Sequence, residues 1–464
     1  MRRIACAIGA LLPLAAFAHA GERAQLLLLP TGLYILGGAL AVAFSFAIMA
    51  LLPSPLFAKT AQLSLPLGTV ARAKGVVPSA VAFVLLALLL VAGFVASRDP
   101  LANPLPLAVW TLWWIGFSFL VVLVGNLWAL LNPWRAAYRL AALLPGLGQL
   151  RARPPLAYPG RLGHWPAALL LFAFGWFELV YPAPQDPERL AAAVIAYAVL
   201  TLAGMFLFGE DRWLERAEAF SVFFRMVGWL SPFSARDDGG QTHGRLALSV
   251  GLPCRGLLAA GALPPGGVAF VLMALGNVSF DGLSRTFWWL GLIGANPLEY
   301  PGRTALMAMN TLGLAGTAAA LALLYFAAVR LGGQTDFGRW VVAIVPIAFG
   351  YHFAHYFPAF LVDVQYALKA FGDPLGRGWN LLGARDLPAS ASFLAHYSTV
   401  HAIWNLQVAA IVAAHVAAVF VAHVLALRRH GSVRRALASQ VPMTALMVAY
   451  TVFGLWLLST PVAA

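Results

Sequence analysis

The sequence predicts an all-α protein, a polytopic transmembrane helix bundle of about ten spans behind an N-terminal signal peptide. Three observations predict it. Of 464 residues, 61% are of hydrophobic type and 10% are charged, against roughly 25% charged in soluble domains. The apolar residues gather in runs long enough to cross about 30 Å of hydrocarbon at about 1.5 Å per residue. The basic residues fall mainly in alternate connecting loops, as the positive-inside rule requires.

Arg2 and Arg3 precede an apolar stretch from Ile4 to Phe17, and Ala18-His19-Ala20 has the small-x-small form of a cleavage site, so residues 1–20 read as a signal peptide. An uncleaved anchor is the alternative and leaves the topology unchanged. Residues 21–464 then form a single transmembrane helical domain with spans near 31–53, 78–97, 105–131, 164–182, 187–209, 266–292, 304–329, 340–362, 402–427 and 437–460. An even number of spans returns both mature termini to one side. Lys59, Arg135, Arg139, Arg151, Arg212, Arg216, Arg225, Arg255, Arg428 and Arg429 sit in the loops of the opposite side. This places the chain in a bacterial inner membrane with periplasmic termini.

Thirty Lys and Arg against 17 Asp and Glu give a net charge of +13. That excess is explained by topology, and no nucleic-acid partner is expected because the charges are spread over loops facing a membrane surface. The longest inner loop, about 210–263, carries Trp213, Phe220, Phe223, Phe224, Val227 and Leu230 at helical spacing among Arg and Glu. It reads as an amphipathic helix lying at the membrane surface. The outer segment 363–401, with Asp373-Pro374-Leu375-Gly376 as a turn signal, is placed to cover a periplasmic face. Cys6 lies in the signal peptide and Cys254 in an inner loop, so no internal disulfide is expected.

Polar side chains inside spans mark candidate sites, because each costs about 2.5–3.5 kcal/mol at mid-membrane on insertion scales. Asp281 and Arg285 are four apart. They either neutralise each other on one helix face, or Asp281 serves as ligand or base while Arg285 binds an anionic group. His352 and His355 are three apart in the eighth span, and His415 can lie level with them in the ninth. Those three imidazoles, with Asp281, are the candidate ligands of a divalent metal. Each His also has a plainer reading as an interhelical hydrogen-bond partner. His423 and Glu178, with Asn126, Asn405 and Gln407, read as packing or interface residues. Phosphate loops, His-Glu-x-x-His helices, Gly-x-Ser-x-Gly elbows and Cys-x-x-Cys pairs do not occur in the chain, which excludes soluble-type ATP chemistry.

Several segments resemble the bacterial membrane proteins known as the fenitrothion hydrolase family. They include Ala18-His19-Ala20-Gly21-Glu22-Arg23, Asn132-Pro133-Trp134-Arg135-Ala136, Glu218-Ala219-Phe220-Ser221-Val222 and Phe280-Asp281-Gly282-Leu283-Ser284-Arg285-Thr286. Further matches are Phe353-Ala354-His355-Tyr356, Asp373-Pro374-Leu375-Gly376-Arg377-Gly378-Trp379, Ala414-His415-Val416 and Ala422-His423-Val424. The run His401-Ala402-Ile403-Trp404-Asn405 departs from the more aromatic stretch expected there. The resemblance implies hydrolysis of an apolar organophosphorus ester, a phosphotriester or phosphorothioate entering from the bilayer. No catalytic residues are carried over from the family.

With a metal held by His352, His355 and His415, Asp281 would be a fourth ligand or base, and Arg285 would stabilise charge on the phosphoryl oxygen or leaving group. The competing expectation is a transporter that passes copper, zinc or protons along the same residues. A haem protein with His352 and His415 as axial ligands is the third.

Overall fold

The computed structural model describes residues 29–71, 75–237 and 245–463. The signal peptide expected at 1–20, and Cys6 within it, lie outside these. The fold is an all-α polytopic bundle. Among the described residues nine helices are long and apolar enough to cross a membrane. They are α1 (Thr31–Leu51), α2 (Val76–Val95), α3 (Pro104–Val124), α5 (Pro187–Phe208), α7 (Pro265–Ser284), α8 (Arg303–Leu331), α9 (Phe337–Gly372), α10 (Tyr397–Arg429) and α11 (Val433–Ser459). The span expected at 164–182 is a shorter helix, α4 (Trp165–Leu179), about 22 Å long at the α-helical rise.

Local chemistry sets the helix ends. Asn103 and Asp186 accept from main-chain N–H groups at the starts of α3 and α5, relieving donors with no partner within the helix. α3 stops at Gly125, whose φ of 98° is left-handed, so the span is shorter than the expected 105–131. α7 ends at Ser284 and is followed by a separate turn, Phe287–Leu292. α9 continues through Pro358 to Gly372, which moves the first ten residues of the expected outer segment into helix. Beyond it, Asp373 accepts from the N–H groups of Arg377 and Gly378 at 2.8 and 2.7 Å, closing the turn read from the sequence.

The segment after α5 departs most from expectation. Instead of lying on the membrane surface, α6 (Ala219–Gly228) dips into the bundle with Phe220, Val222, Phe223, Phe224, Met226 and Val227 all buried. Its aromatic rings meet those of α3, with Phe223 5.0 Å from Trp114 and Phe220 4.5 Å from Trp113 between centroids. Glu218, fully buried, caps it by accepting from Phe220 and Ser221 N–H at 3.1 and 2.7 Å. The Tyr197 hydroxyl donates to the same carboxylate. The chain then forms two strands, β2 (Phe233–Asp237) and β3 (Arg245–Gly251), which pair antiparallel with each other. β3 also pairs antiparallel with β1 (Ser64–Ala71), giving the order β1-β3-β2. This small sheet marks one end of the bundle, called here the sheet end.

Helices α4, α7 and α9 run in the same direction and pack side by side. Their first turns meet where Gly266 abuts His164 and Trp165, and where Leu263 N–H donates to Gly338 O at 3.0 Å. The last turns of α4 and α7 meet the middle of α9 through the side chains described next.

Candidate functional site

Away from the sheet end, where the last turns of α4 and α7 meet the middle of α9, charged and hydroxyl groups face one another. Asp281 Oδ2 on α7 and His355 Nε2 on α9 are 2.9 Å apart, each side chain about one-fifth exposed. The Tyr356 hydroxyl donates to Glu178 Oε1 on α4 at 2.9 Å and lies near enough to Asp281 for the two to act on each other electrostatically. It therefore stands between two carboxylates from different helices. Arg303, the first residue of α8, donates to Glu178 O at 2.7 Å and Tyr181 O at 3.3 Å, and its charge acts on both Asp281 and Glu178. Tyr351 stacks on His355 at 6.1 Å with an interplanar angle of 12°.

One helical turn nearer the sheet end lies a cavity of about 50 Å³, bounded above by Glu178 and Tyr356 and along its sides by His352, Asn277, Trp114 and Phe223. A long π-helical stretch, Leu107–Phe117, sets Trp114 edge-on to His352 with centroids 4.9 Å apart. π-helical turns occur disproportionately at functional positions. Gly175 lets Asn277 come close, since a Cβ there would lie 2.3 Å from Asn277 Nδ2.

The structure brings together only part of the set expected from sequence. Asp281 and His355 meet. His352 is a turn away, buried among Trp114, Phe223, Phe349 and Tyr356. His415 is occupied locally: Nδ1 bonds Ile411 O at 2.8 Å, and its ring lies 6.0 Å from Tyr450. Among the described residues no three or more His, Cys, Asp and Glu side chains gather where they could hold one metal ion. His352, His355 and His415 thus do not fit a three-ligand centre. Arg285 does not pair with Asp281 but is exposed, 5.9 Å from the Tyr300 ring. Arg303 takes the place expected of it.

Three members of the cluster, Glu178, Tyr356 and Arg303, had no functional reading in the sequence. A carboxylate inside an apolar run was the available signal for Glu178. His423 bonds Gln440 Oε1 at 3.3 Å and packs 4.6 Å from Phe57, and Gln407 donates to Ala354 O at 2.7 Å, both in the packing roles expected. No family model matches the chain, and neither the curated proteins nor the solved structures contain a match to it. The resemblance to the fenitrothion hydrolase family stands on the quoted segments alone.

Proposed function

We propose that the protein is a proton-coupled membrane transporter whose working element is the chain His355–Asp281–Tyr356–Glu178. The observation that carries this reading is the Tyr356 hydroxyl, bonded to Glu178 and close to Asp281, inside an apolar helix bundle. Ionisable side chains are rare in spans, and mark proton relays or ion pathways when they connect. Arg303 supplies one fixed positive charge to two carboxylates, so one proton shared between Asp281 and Glu178 brings those three groups to neutrality. A protonated Asp281 donates to the Tyr356 oxygen as Tyr356 passes its own proton to Glu178. One proton has then moved between helices, and Tyr356 is unchanged. His355, bonded to Asp281, exchanges that proton with the far face of the cluster.

The basic residues at the sheet end support an inner-membrane orientation with that end cytoplasmic and both termini periplasmic. The relay then sits toward the periplasmic side, and the cavity leads inward from it.

A second reading follows from the same Asp281–His355 pair. A carboxylate that orients an imidazole makes a general base, and the neighbouring apolar cavity suits a small apolar substrate from the bilayer. This supports hydrolysis of a phosphotriester or phosphorothioate, the activity implied by the family resemblance. A divalent metal, if one takes part, needs a ligand set other than His352, His355 and His415.

One preparation separates the readings. Purified protein is reconstituted in liposomes holding a pH-reporting dye, and the same sample is assayed with a chromogenic phosphotriester. Proton flux without ester turnover supports the transporter; turnover lost in Asp281→Asn without proton flux supports the hydrolase.

A further inference from the structure

The lining of the cavity beneath the relay includes buried polar atoms that lack partners. Asn277 and His352 are 8% and 5% exposed, and Asn277 Oδ1 and His352 Nε2 have no hydrogen-bond partner. Leaving such buried atoms unmatched is costly, so an occupant that supplies donors is favoured. The His352 ring also lies beside the Trp114 main chain; in the tautomer with the proton on Nδ1 directed there, Nε2 presents a lone pair. Asn277 has already committed its Nδ2 to Leu171 O at 3.1 Å. The third acceptor at the cavity is the Glu178 carboxylate, which brings negative charge.

The chemistry of these walls selects the occupant. Water brings lone pairs as well as donors, and the lining matches them only in part: the Tyr356 hydroxyl is committed to Glu178, which leaves the unpartnered Trp114 indole N–H as a donor. A metal ion needs ligand atoms converging at about 2.0–2.3 Å, and no such gathering of three or more His, Cys, Asp and Glu occurs among the described residues. A cation that carries only N–H donors meets each condition. It bonds at about 2.7–3.2 Å, and aromatic faces such as those of Trp114 and Phe223 attract it. A volume of about 50 Å³ exceeds the roughly 10–15 Å³ needed for one water-sized occupant.

We propose that this cavity binds a small cation of the ammonium class, ammonium or a singly methylated ammonium, through Glu178, Asn277 Oδ1 and His352 Nε2. The inference rests on the transport reading only in treating that cation as cargo; binding itself does not require the relay.

The test is equilibrium dialysis of the full-length detergent-purified protein against radiolabelled methylammonium. Saturable binding near one per chain is expected, displaced by ammonium and not by equal sodium or potassium. Asn277→Leu and His352→Phe each weaken it at least tenfold, while Asn277→Asp, which keeps an acceptor, retains it. Absence of saturable binding in the wild type overturns the proposal. So does equal displacement by sodium, unchanged affinity in His352→Phe, or loss of binding in a folded Asn277→Asp. Asp281→Asn separates this inference from the relay: Asp281 does not line the cavity and is no proposed ligand, so the variant binds methylammonium normally even where proton flux is gone. Flux present with no methylammonium binding overturns the site and leaves the relay standing.

Discussion

His355 Nε2 and Asp281 Oδ2 lie 2.9 Å apart across the α7–α9 interface, so the principal acid of the seventh helix is matched from a neighbouring helix and not from its own Arg285. The pairing fixes the register of two same-directed helices and puts a titratable pair where a proton can be exchanged. His355→Ala leaves Asp281 without this partner. Removing one member of a buried pair costs about 3–5 kcal/mol, and the partial exposure here lowers that to about 2–4 kcal/mol. Thermal unfolding in detergent is expected to show a clear fall in Tm. Asp281→Asn, which keeps shape and hydrogen bonding, is expected to lose much less stability but at least tenfold in proton flux.

Gly175 is required by the approach of α4 to α7. In Gly175→Ala the new methyl lies 2.3 Å from Asn277 Nδ2 and 2.6 Å from its Cγ, inside van der Waals contact. Overpacking of this kind costs about 1–3 kcal/mol. The variant is expected to unfold at lower temperature, and Gly175→Ala with Asn277→Ala is expected to recover most of the loss in a double-mutant cycle.

Glu218 holds α6 in the bundle. Glu218→Ala removes acceptors for Phe220 and Ser221 N–H and for the Tyr197 hydroxyl, with an expected loss of about 2 kcal/mol. Because Phe223 on α6 walls the cavity, hydrogen exchange at 219–228 is expected to rise with it. Glu218→Gln keeps an acceptor and is expected to fall between wild type and Glu218→Ala.

Burial pushes the Cys254 thiol up to about 12 from an ordinary value of about 8.5. The folded protein therefore keeps it neutral through pH 9. Its contribution to stability is complete below the unfolded thiol's pKa and falls as pH rises above it, where only the unfolded chain ionises. Alkylation of Cys254 at pH 8, followed by peptide mass spectrometry, is expected to be slow in the native protein and fast after denaturation. Equal rates would contradict its burial.

The fold was legible because hydrocarbon thickness dictates run length, and ten apolar runs became nine long helices and the shorter α4. The misreadings have physical causes. Helical spacing in the 210–230 segment shows an apolar stripe but does not say whether lipid or protein covers it, so spacing alone leads to a surface helix where the bundle buries α6. The strands at 64–71, 233–237 and 245–251 are short, and although the last two form a local hairpin, the first joins them from far along the chain, which no local pattern reports. At the site, Asp281 and His355 were identifiable as costly polar residues. Their pairing was not, since i, i+4 spacing favours Arg285 until the end of α7 at Ser284 turns that side chain outward. Glu178 and Arg303 stand near helix ends, where interfacial exposure is the simpler expectation.

Tyr356→Phe tests the relay most directly, because it deletes one oxygen and leaves the ring, the helix and both carboxylates in place. Proton flux into liposomes should fall at least tenfold relative to wild type, with Tm shifted by no more than the roughly 1–2 kcal/mol worth of one hydrogen bond. Wild-type flux through Tyr356→Phe would mean that protons do not pass between Asp281 and Glu178 by way of this hydroxyl.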